Sequence, residues 1–137
     1  MKLWNPLSSR GQCTLGVGIQ RPRGVRPLAT PYRGWAIVDT GANASFIQEQ
    51  LARDLGLEEV TPEVIENPGH AEPVHTWSTF ATLTLYGDEG TSIEIHRVLV
   101  AAPGMMKPAV ILGTDAFERG KLEIDFERMV WSLTLSG

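Results

Sequence analysis

The sequence has a single cysteine and no long apolar run, and each of these two features narrows the range of proteins that it can encode. Cys13 is the one cysteine among 137 residues, so no disulfide can form within the chain. A fold without disulfides suits a reducing compartment. No apolar stretch is long enough to span a bilayer, and the N-terminus lacks the apolar core of a secretory signal. We therefore expect a cytoplasmic protein with no membrane partner.

Positive charge is also scarce. The formal net charge is -4, which argues against a surface built to bind a polyanion. Arginines are nevertheless concentrated in residues 21–34, among prolines and glycines that favour an exposed connection between strands. Nucleic-acid binding by this segment is the lowest-ranked hypothesis, because Tyr32 is the one aromatic residue interleaved with the arginines. We expect a solvated loop and no nucleic acid partner.

The composition that remains is typical of a single globular domain spanning residues 1–137. Apolar residues make up 42% of the chain, and 14 glycines with 9 prolines predict short strands separated by many turns. Alternating polarity and short apolar runs predict strands at 13–19, 35–38, 79–86, 92–100, 109–113, 122–126 and 131–135. The third and fourth of these form a β-hairpin around a glycine-rich turn.

One helix and one marginal helix are predicted within this pattern. Ser45 and Gln48 have the spacing of a capping box, apolar residues four apart follow, and Gly56 ends the helix. A shorter helix is predicted at 114–119. The fold class is therefore all-β, a closed barrel-like domain with one or two short helices.

The most informative segment is an apolar strand, Ala36 to Val38, that ends at Asp39-Thr40-Gly41. A carboxylate in this position costs desolvation energy unless a site uses it, and the glycine permits a sharp turn. The alternative is that Asp39 begins a loop or caps the following helix. The triplet alone favours this alternative, so the decision depends on the rest of the chain.

Two segments taken together resemble the retroviral-type aspartic proteases, or retropepsins. The apolar strand leads into Asp39-Thr40-Gly41-Ala42, and Val110-Ile111-Leu112-Gly113 opens a short helix before a last apolar strand. The resemblance covers residues 12–126, and its specificity lies in the paired anchors at Asp39 and Gly113. It implies the closed, all-β retropepsin (acid protease) fold, with a hairpin flap near 66–80.

The resemblance also implies catalysis by two aspartates that activate one water molecule for attack on a peptide carbonyl. Two carboxylates a hydrogen bond apart cannot both ionise cheaply, so they share one proton and act as base and acid. No other aspartate follows the Asp-Thr/Ser-Gly pattern, so the second carboxylate must be Asp39 of another copy in a homodimer. By resemblance, Thr40 links the two loops and Gly41 accepts the substrate backbone. We expect an aspartic endopeptidase acting on peptide or protein substrates.

Five further residues are expected to bind substrate: Ala42, Asn43, Gly69, His70 and Trp77. Gly69 and His70 lie in the expected flap, which would close over an extended peptide. Asn43 replaces an acidic residue that is usual in viral members of the family, which points to a bacterial or cellular member. For Trp77, packing in the core is the alternative.

No metal or organic cofactor is expected, because the three histidines lack the spacing of metal ligands. The runner-up function is a catalytically silent retropepsin-like module for binding or dimerisation. The N-terminal arm, 1–11, and the C-terminal strand, 129–135, are both candidates for an intersubunit sheet, and apolar alternation favours the C-terminal one. The N-terminal segment is alternatively a prosegment removed by self-cleavage.

Overall fold

The computed structural model describes residues 1–66 and 72–135. Short strands dominate, as the alternating apolar pattern predicts. The strands are β1 (Lys2–Pro6), β2 (Thr14–Gln20), β3 (Tyr32–Val38), β4 (Phe46–Gln48), β5 (Thr61–Ile65), β6 (Val74–Tyr86), β7 (Ser92–Ala102), β8 (Val110–Leu112), β9 (Lys121–Asp125) and β10 (Val130–Thr134). Among these described residues, the helical structure consists of α1 (Glu49–Asp54) and two 3-10 turns at Asp88–Gly90 and Thr114–Phe117.

Six strands close into a barrel in the order β2-β3-β8-β4-β7-β6, and β6 pairs back onto β2. The pairs β3–β8 and β4–β7 are parallel, and the other neighbours around the ring are antiparallel. β5 pairs with the first half of β6, outside the ring. The predicted barrel-like, all-β fold class is therefore confirmed.

Apolar side chains at alternate positions of the strands fill the interior of the barrel. Leu15, Val17 and Ile19 of β2 are fully buried, whereas the residues between them are half-buried. Leu83 and Leu85 of β6 face the same core. Burying an aliphatic side chain of this size contributes roughly 1.5–3 kcal/mol relative to exposure. The hairpin β6–β7 that supplies much of this core is the predicted one, with longer strands.

A separate three-stranded antiparallel sheet has the order β1-β10-β9. Leu3, Trp131 and Leu133 are buried on its inner face. The two ends of the chain meet here, because the amino group of Met1 donates a hydrogen bond to the Leu135 carbonyl at 2.7 Å. β10 is the middle strand, so the free edges of this sheet belong to β1 and β9.

The predicted start of the first helix is wrong. Phe46–Gln48 forms β4 between β8 and β7, and α1 begins only at Glu49. The capping pattern at Ser45 is a local signal, and it loses to packing because Ile47 is fully buried in the barrel wall. The predicted end is confirmed: Gly56 has a φ of 71° and its N–H donates to the Arg53 carbonyl at 3.0 Å.

The helices are too short or too polar to cross a bilayer anywhere in residues 1–66 and 72–135.

Candidate active site

Asp39 stands at the end of β3, which lies between β2 and β8 in the barrel wall. The Val38 N–H donates to the Cys13 carbonyl at 2.9 Å, and the Asp39 N–H donates to the Leu112 carbonyl at 2.9 Å. The backbone is thus fixed from both sides up to Asp39. The Asp39 side chain itself is exposed. The apolar run therefore delivers a carboxylate to a surface on a rigid strand.

The turn after β3 holds the carboxylate in one direction. The Gly41 N–H donates to Asp39 Oδ1 at 2.9 Å, and the Ala42 N–H donates to the Asp39 carbonyl at 3.1 Å. A hydrogen bond to an ionised carboxylate is stronger than one between neutral groups. The pattern Asp-Thr-Gly thus produces a turn that orients the first residue of the triplet.

Gly113 lies directly against this turn, as the second anchor of the sequence pattern suggests. A Cβ at Gly113 would lie 2.7 Å from the Ala42 carbonyl oxygen and closer still to that of Ala44. The next residue continues the contact, because the Thr114 N–H donates to the Ala42 carbonyl at 2.9 Å. Glycine is needed at 113 because two backbone carbonyls occupy the space of a side chain.

Ser45 connects the end of the loop that follows Asp39 to Gly113 and Asp115, a role that the sequence did not reveal. Its side chain is 1% exposed, and its hydroxyl accepts from the Gly113 N–H at 3.0 Å. The same hydroxyl donates to Asp115 Oδ1 at 2.7 Å. The residue that local spacing predicts as a helix cap therefore satisfies a buried N–H beside the neighbouring strand β8, a contact between residues distant in sequence that leaves no periodic signal.

The carboxylate of Asp39 borders a cavity of about 490 Å³. Ile37 and Ile111 line it and are direct partners in the β3–β8 register, so both project from the same face of the sheet. Ile124 of β9 also lines the cavity. Among the described residues that line this cavity, Asp39 supplies the one carboxylate. The site thus combines a single acid with apolar walls.

The other residues expected at the site have different environments. Thr40 is exposed and lines the cavity beside Asp39. Ala42 is half-buried and held by the Thr114 hydrogen bond, whereas Asn43 is exposed next to it. Gly69 and His70 lie outside the described residues. Those two assignments therefore stay predictions.

Trp77 is not among the residues that line the Asp39 cavity. It is 6% exposed on β6, opposite Pro62, and belongs to the core. The guanidinium carbon of Arg53 lies 5.4 Å from the centre of its ring, which is a cation–π distance. The core packing that the sequence left as the alternative accounts for this position.

Side chains of the types that ligate metals do not cluster in the part of the chain that the structure describes. There, histidine, cysteine, aspartate and glutamate side chains form no group of three or more that could hold an ion. The one thiol of the chain, that of Cys13, is buried, and this burial raises its pKa above the usual 9.0. A thiol in this state is a poor nucleophile and a poor ligand.

The arginine-rich segment is partly neutralised by the chain itself. Arg21 pairs with Glu58 at 3.2 Å, and Arg23 pairs with Glu94 at 2.9 Å. Arg33 lies over the ring of Tyr86, at 4.3 Å from its centroid. Residues 21–31 thus form an anchored surface connection, as the sequence predicts, whereas residues 32–34, expected in the same loop, belong to β3.

Comparisons with known proteins point to one family. A family model described as aspartyl protease matches residues 30–116, a span that contains both the Asp39 turn and Gly113. A retropepsin-like aspartic protease from Rickettsia conorii has a similar structure, with a TM-score of 0.55 and 16% sequence identity. That similarity covers 100% of this chain and 93% of the Rickettsia chain. A search among curated proteins found no match. The chain therefore belongs to the aspartyl protease family and has the retropepsin-like fold that its two sequence anchors indicate.

Proposed function

We propose that the protein is an aspartic endopeptidase that hydrolyses peptide bonds through a water molecule held by two Asp39 carboxylates, one from each subunit of a homodimer. The observation that carries this proposal is the single carboxylate of the Asp39 cavity, exposed on a rigid strand and oriented by the Gly41 N–H. A lone carboxylate lacks the second group that the reaction requires, and a second copy would supply it.

The chemistry follows from the repulsion between two acids. Two carboxylates at hydrogen-bond distance share one proton, because ionising both would place like charges together. The ionised member removes a proton from water as the water attacks the peptide carbonyl. The protonated member donates its proton to the carbonyl oxygen, so charge is balanced through the tetrahedral intermediate. No metal or organic cofactor takes part in this scheme.

The free edge of β9 supports a specific dimer contact. Ile124 of β9 is 40% exposed and lines the Asp39 cavity, and Phe126 just beyond it is 65% exposed. β10, the terminal strand favoured from sequence, already has a strand on each side. We therefore assign the intersubunit contact to β9, with the apolar pair Ile124 and Phe126 packed against the second copy. A two-fold axis there would bring both cavities together.

The other residues of the Asp39 loop take roles that their positions support. Thr40 is exposed beside Asp39, where it would meet the matching loop of the second subunit. Gly41, Ala42 and Asn43 continue along the same loop and would bind the substrate backbone. The flap expected near 66–80, which includes Gly69 and His70, would cover the bound peptide.

The test is cleavage of a peptide library by the wild-type protein and by Asp39→Asn, from about pH 4 to about pH 7. We expect cleavage by the wild type, with a bell-shaped pH dependence, and loss of cleavage in Asp39→Asn. Asp54→Asn is the matched control, because Asp54 is an exposed helical aspartate bonded to Gln50 and should retain full activity. Sedimentation must find the same dimer in all three proteins.

Mixing subunits tests the shared site directly. If both carboxylates are required, a ninefold excess of Asp39→Asn should lower the activity per wild-type subunit to about a tenth, because random pairing leaves few wild-type dimers. Activity that is unaffected by the excess would contradict a shared site. A folded dimer that cleaves no peptide would instead favour the silent binding or dimerisation module.

A further inference from the structure

A second groove lies beside the Asp39 cavity, where β3 loses one of its neighbours. β2 pairs with β3 along Tyr32–Ile37, but β8 pairs with it only over Ala36–Val38. A cavity of about 640 Å³ opens between the first half of β3 and the segment that leads into β8, residues 107–109. We call this space the β3 groove.

Backbone groups of β3 face this groove without a strand partner. The N–H of Val38 bonds on the β2 side, and the N–H of Asp39 bonds on the β8 side. Because N–H groups alternate in direction along a strand, those of Arg33 and Trp35 point to the β8 side as Asp39 does. The pairing with β8 begins only at Ala36. Within the described residues, this stretch is an open strand edge.

The side chains give the groove a definite chemistry. Trp35 is 66% exposed, which is unusual for the largest apolar side chain, and Ile37 and Pro108 extend the apolar wall. Lys107 is the one charged residue among the described residues that line the groove. An apolar wall with one cation and an open strand edge suits an extended peptide that carries a large apolar residue beside a carboxylate.

We propose that the β3 groove binds an outlying segment of the substrate polypeptide by strand addition to β3, with a large apolar residue on Trp35 and an adjacent acidic residue at Lys107. The inference rests on the proposed function. Ile37 lines both the groove and the Asp39 cavity, so a peptide that leaves the strand edge at Ala36, where β8 begins, can cross Ile37 to reach the cavity. Trp35 precedes Asp39 by four residues, about 13 Å along a strand. The preferred pair should therefore lie about four residues from the cleaved bond.

The test measures peptide binding without turnover. Asp39→Asn protein is titrated with fluorescent peptides of about ten residues that carry Leu-Glu, Leu-Lys or Ser-Glu about four residues from the centre. Fluorescence anisotropy gives the affinity of each peptide. We expect the Leu-Glu peptide to bind roughly fivefold more tightly than the Leu-Lys peptide, the scale of one exposed ion pair.

Two further substitutions in the Asp39→Asn background separate charge from apolar contact. Lys107→Glu should reverse the preference between Leu-Glu and Leu-Lys. Trp35→Ala should weaken both by about tenfold or more, as loss of a central aromatic contact does. Arg26→Glu is the matched control, because Arg26 is also exposed but does not line the groove, and it should leave every affinity unchanged.

Each outcome decides the inference. An unchanged preference in Lys107→Glu, a shift equal to that of Arg26→Glu, or no binding of any of the peptides would overturn it. Cleavage by the wild type without this preference would overturn the inference but leave the proposed function standing. Charge-reversible binding by a protein that cleaves nothing would support the groove and refute the proposed function.

Discussion

The Asp39 loop and the strand β9 border the same cavity, but they differ in how much of their bonding is completed within one chain. Around the loop, backbone N–H groups of Asp39, Gly41 and Gly113 all have partners, and the Ser45 hydroxyl is bonded twice. β9 has one neighbouring strand, and Ile124 remains 40% exposed. The hydrogen bonds of the loop are therefore completed within one chain, which makes the loop rigid. The described part of the chain leaves one edge of β9 unpaired, so this edge can bind another molecule.

This difference between the loop and β9 suits an enzyme whose active site forms only when two subunits associate. A catalytic group must hold its direction before the second subunit arrives, so its supports should lie in its own chain. The surface that brings the second subunit must remain open until then. The comparison predicts that substitutions around the loop reduce the stability of each chain, whereas substitutions on β9 reduce association.

The largest effect on stability is expected for Gly113→Ala. The new Cβ would meet the Ala42 and Ala44 carbonyl oxygens, which belong to a tightly bonded turn and cannot move aside. We expect the free energy of unfolding to fall by about 3 kcal/mol or more, measured by chemical denaturation. Gly16→Ala is the control, because its Cβ would find only ordinary contacts of 3.6 Å or longer. Equal stability of the two variants would mean that the loop is not rigid.

Ser45→Ala tests the connection of the Asp39 loop to Gly113 and Asp115. It removes the acceptor of the buried Gly113 N–H and the donor to Asp115, which should cost about 1–3 kcal/mol of unfolding free energy. A double-mutant cycle with Asp115→Ala should give a coupling energy of roughly 0.5 kcal/mol or more, because the two side chains are in direct contact. Additive effects would show that the two side chains do not act together.

The same contrast explains how far the sequence could predict the structure. The strand ending at Asp39, the β6–β7 hairpin and the stop at Gly56 all depend on residues close together in the chain, where periodicity and turn chemistry are informative. These predictions are confirmed. The local sequence around Ser45 predicts a helix cap instead. Its actual partners, Gly113 and Asp115, are about 70 residues away, and a local pattern carries no information about them.

The β3 groove was likewise beyond prediction. It exists because the segment before β8 leaves β3 at Ala36, and no local pattern encodes where two distant strands part. The sequence predicts residues 35–38 as a short apolar strand, which favours burial of Trp35, yet Trp35 is exposed because alternate residues of β3 face outward. The position of Ile124 beside Asp39 also required the three-dimensional arrangement of β9 and β3.

Ile124→Lys tests the role of β9 in bringing the second subunit. A charge at this exposed position should weaken dimer association by about tenfold or more, through lost apolar burial and like charges facing each other across the axis. The unfolding free energy of the single chain should change by less than about 0.5 kcal/mol. Val98→Lys is a matched control, because Val98 on β7 is also 40% exposed. Sedimentation equilibrium would contradict the β9 contact if both variants dimerise equally well.

The smallest effect is expected at Cys13, which lines the Asp39 cavity on the side of the loop. Its titration tests how well this wall excludes water. Burial raises the pKa of its thiol in the folded protein, so the folded state holds the thiol proton more tightly than the unfolded state does. The resulting stability is fully present below the unfolded pKa, near 9.0, and is lost as pH rises through the raised folded value. Unfolding free energies measured from about pH 8 to about pH 10 should therefore fall more steeply for the wild type than for Cys13→Ala. Parallel profiles would mean that the wall beside Asp39 admits water and is less closed than the loop it supports.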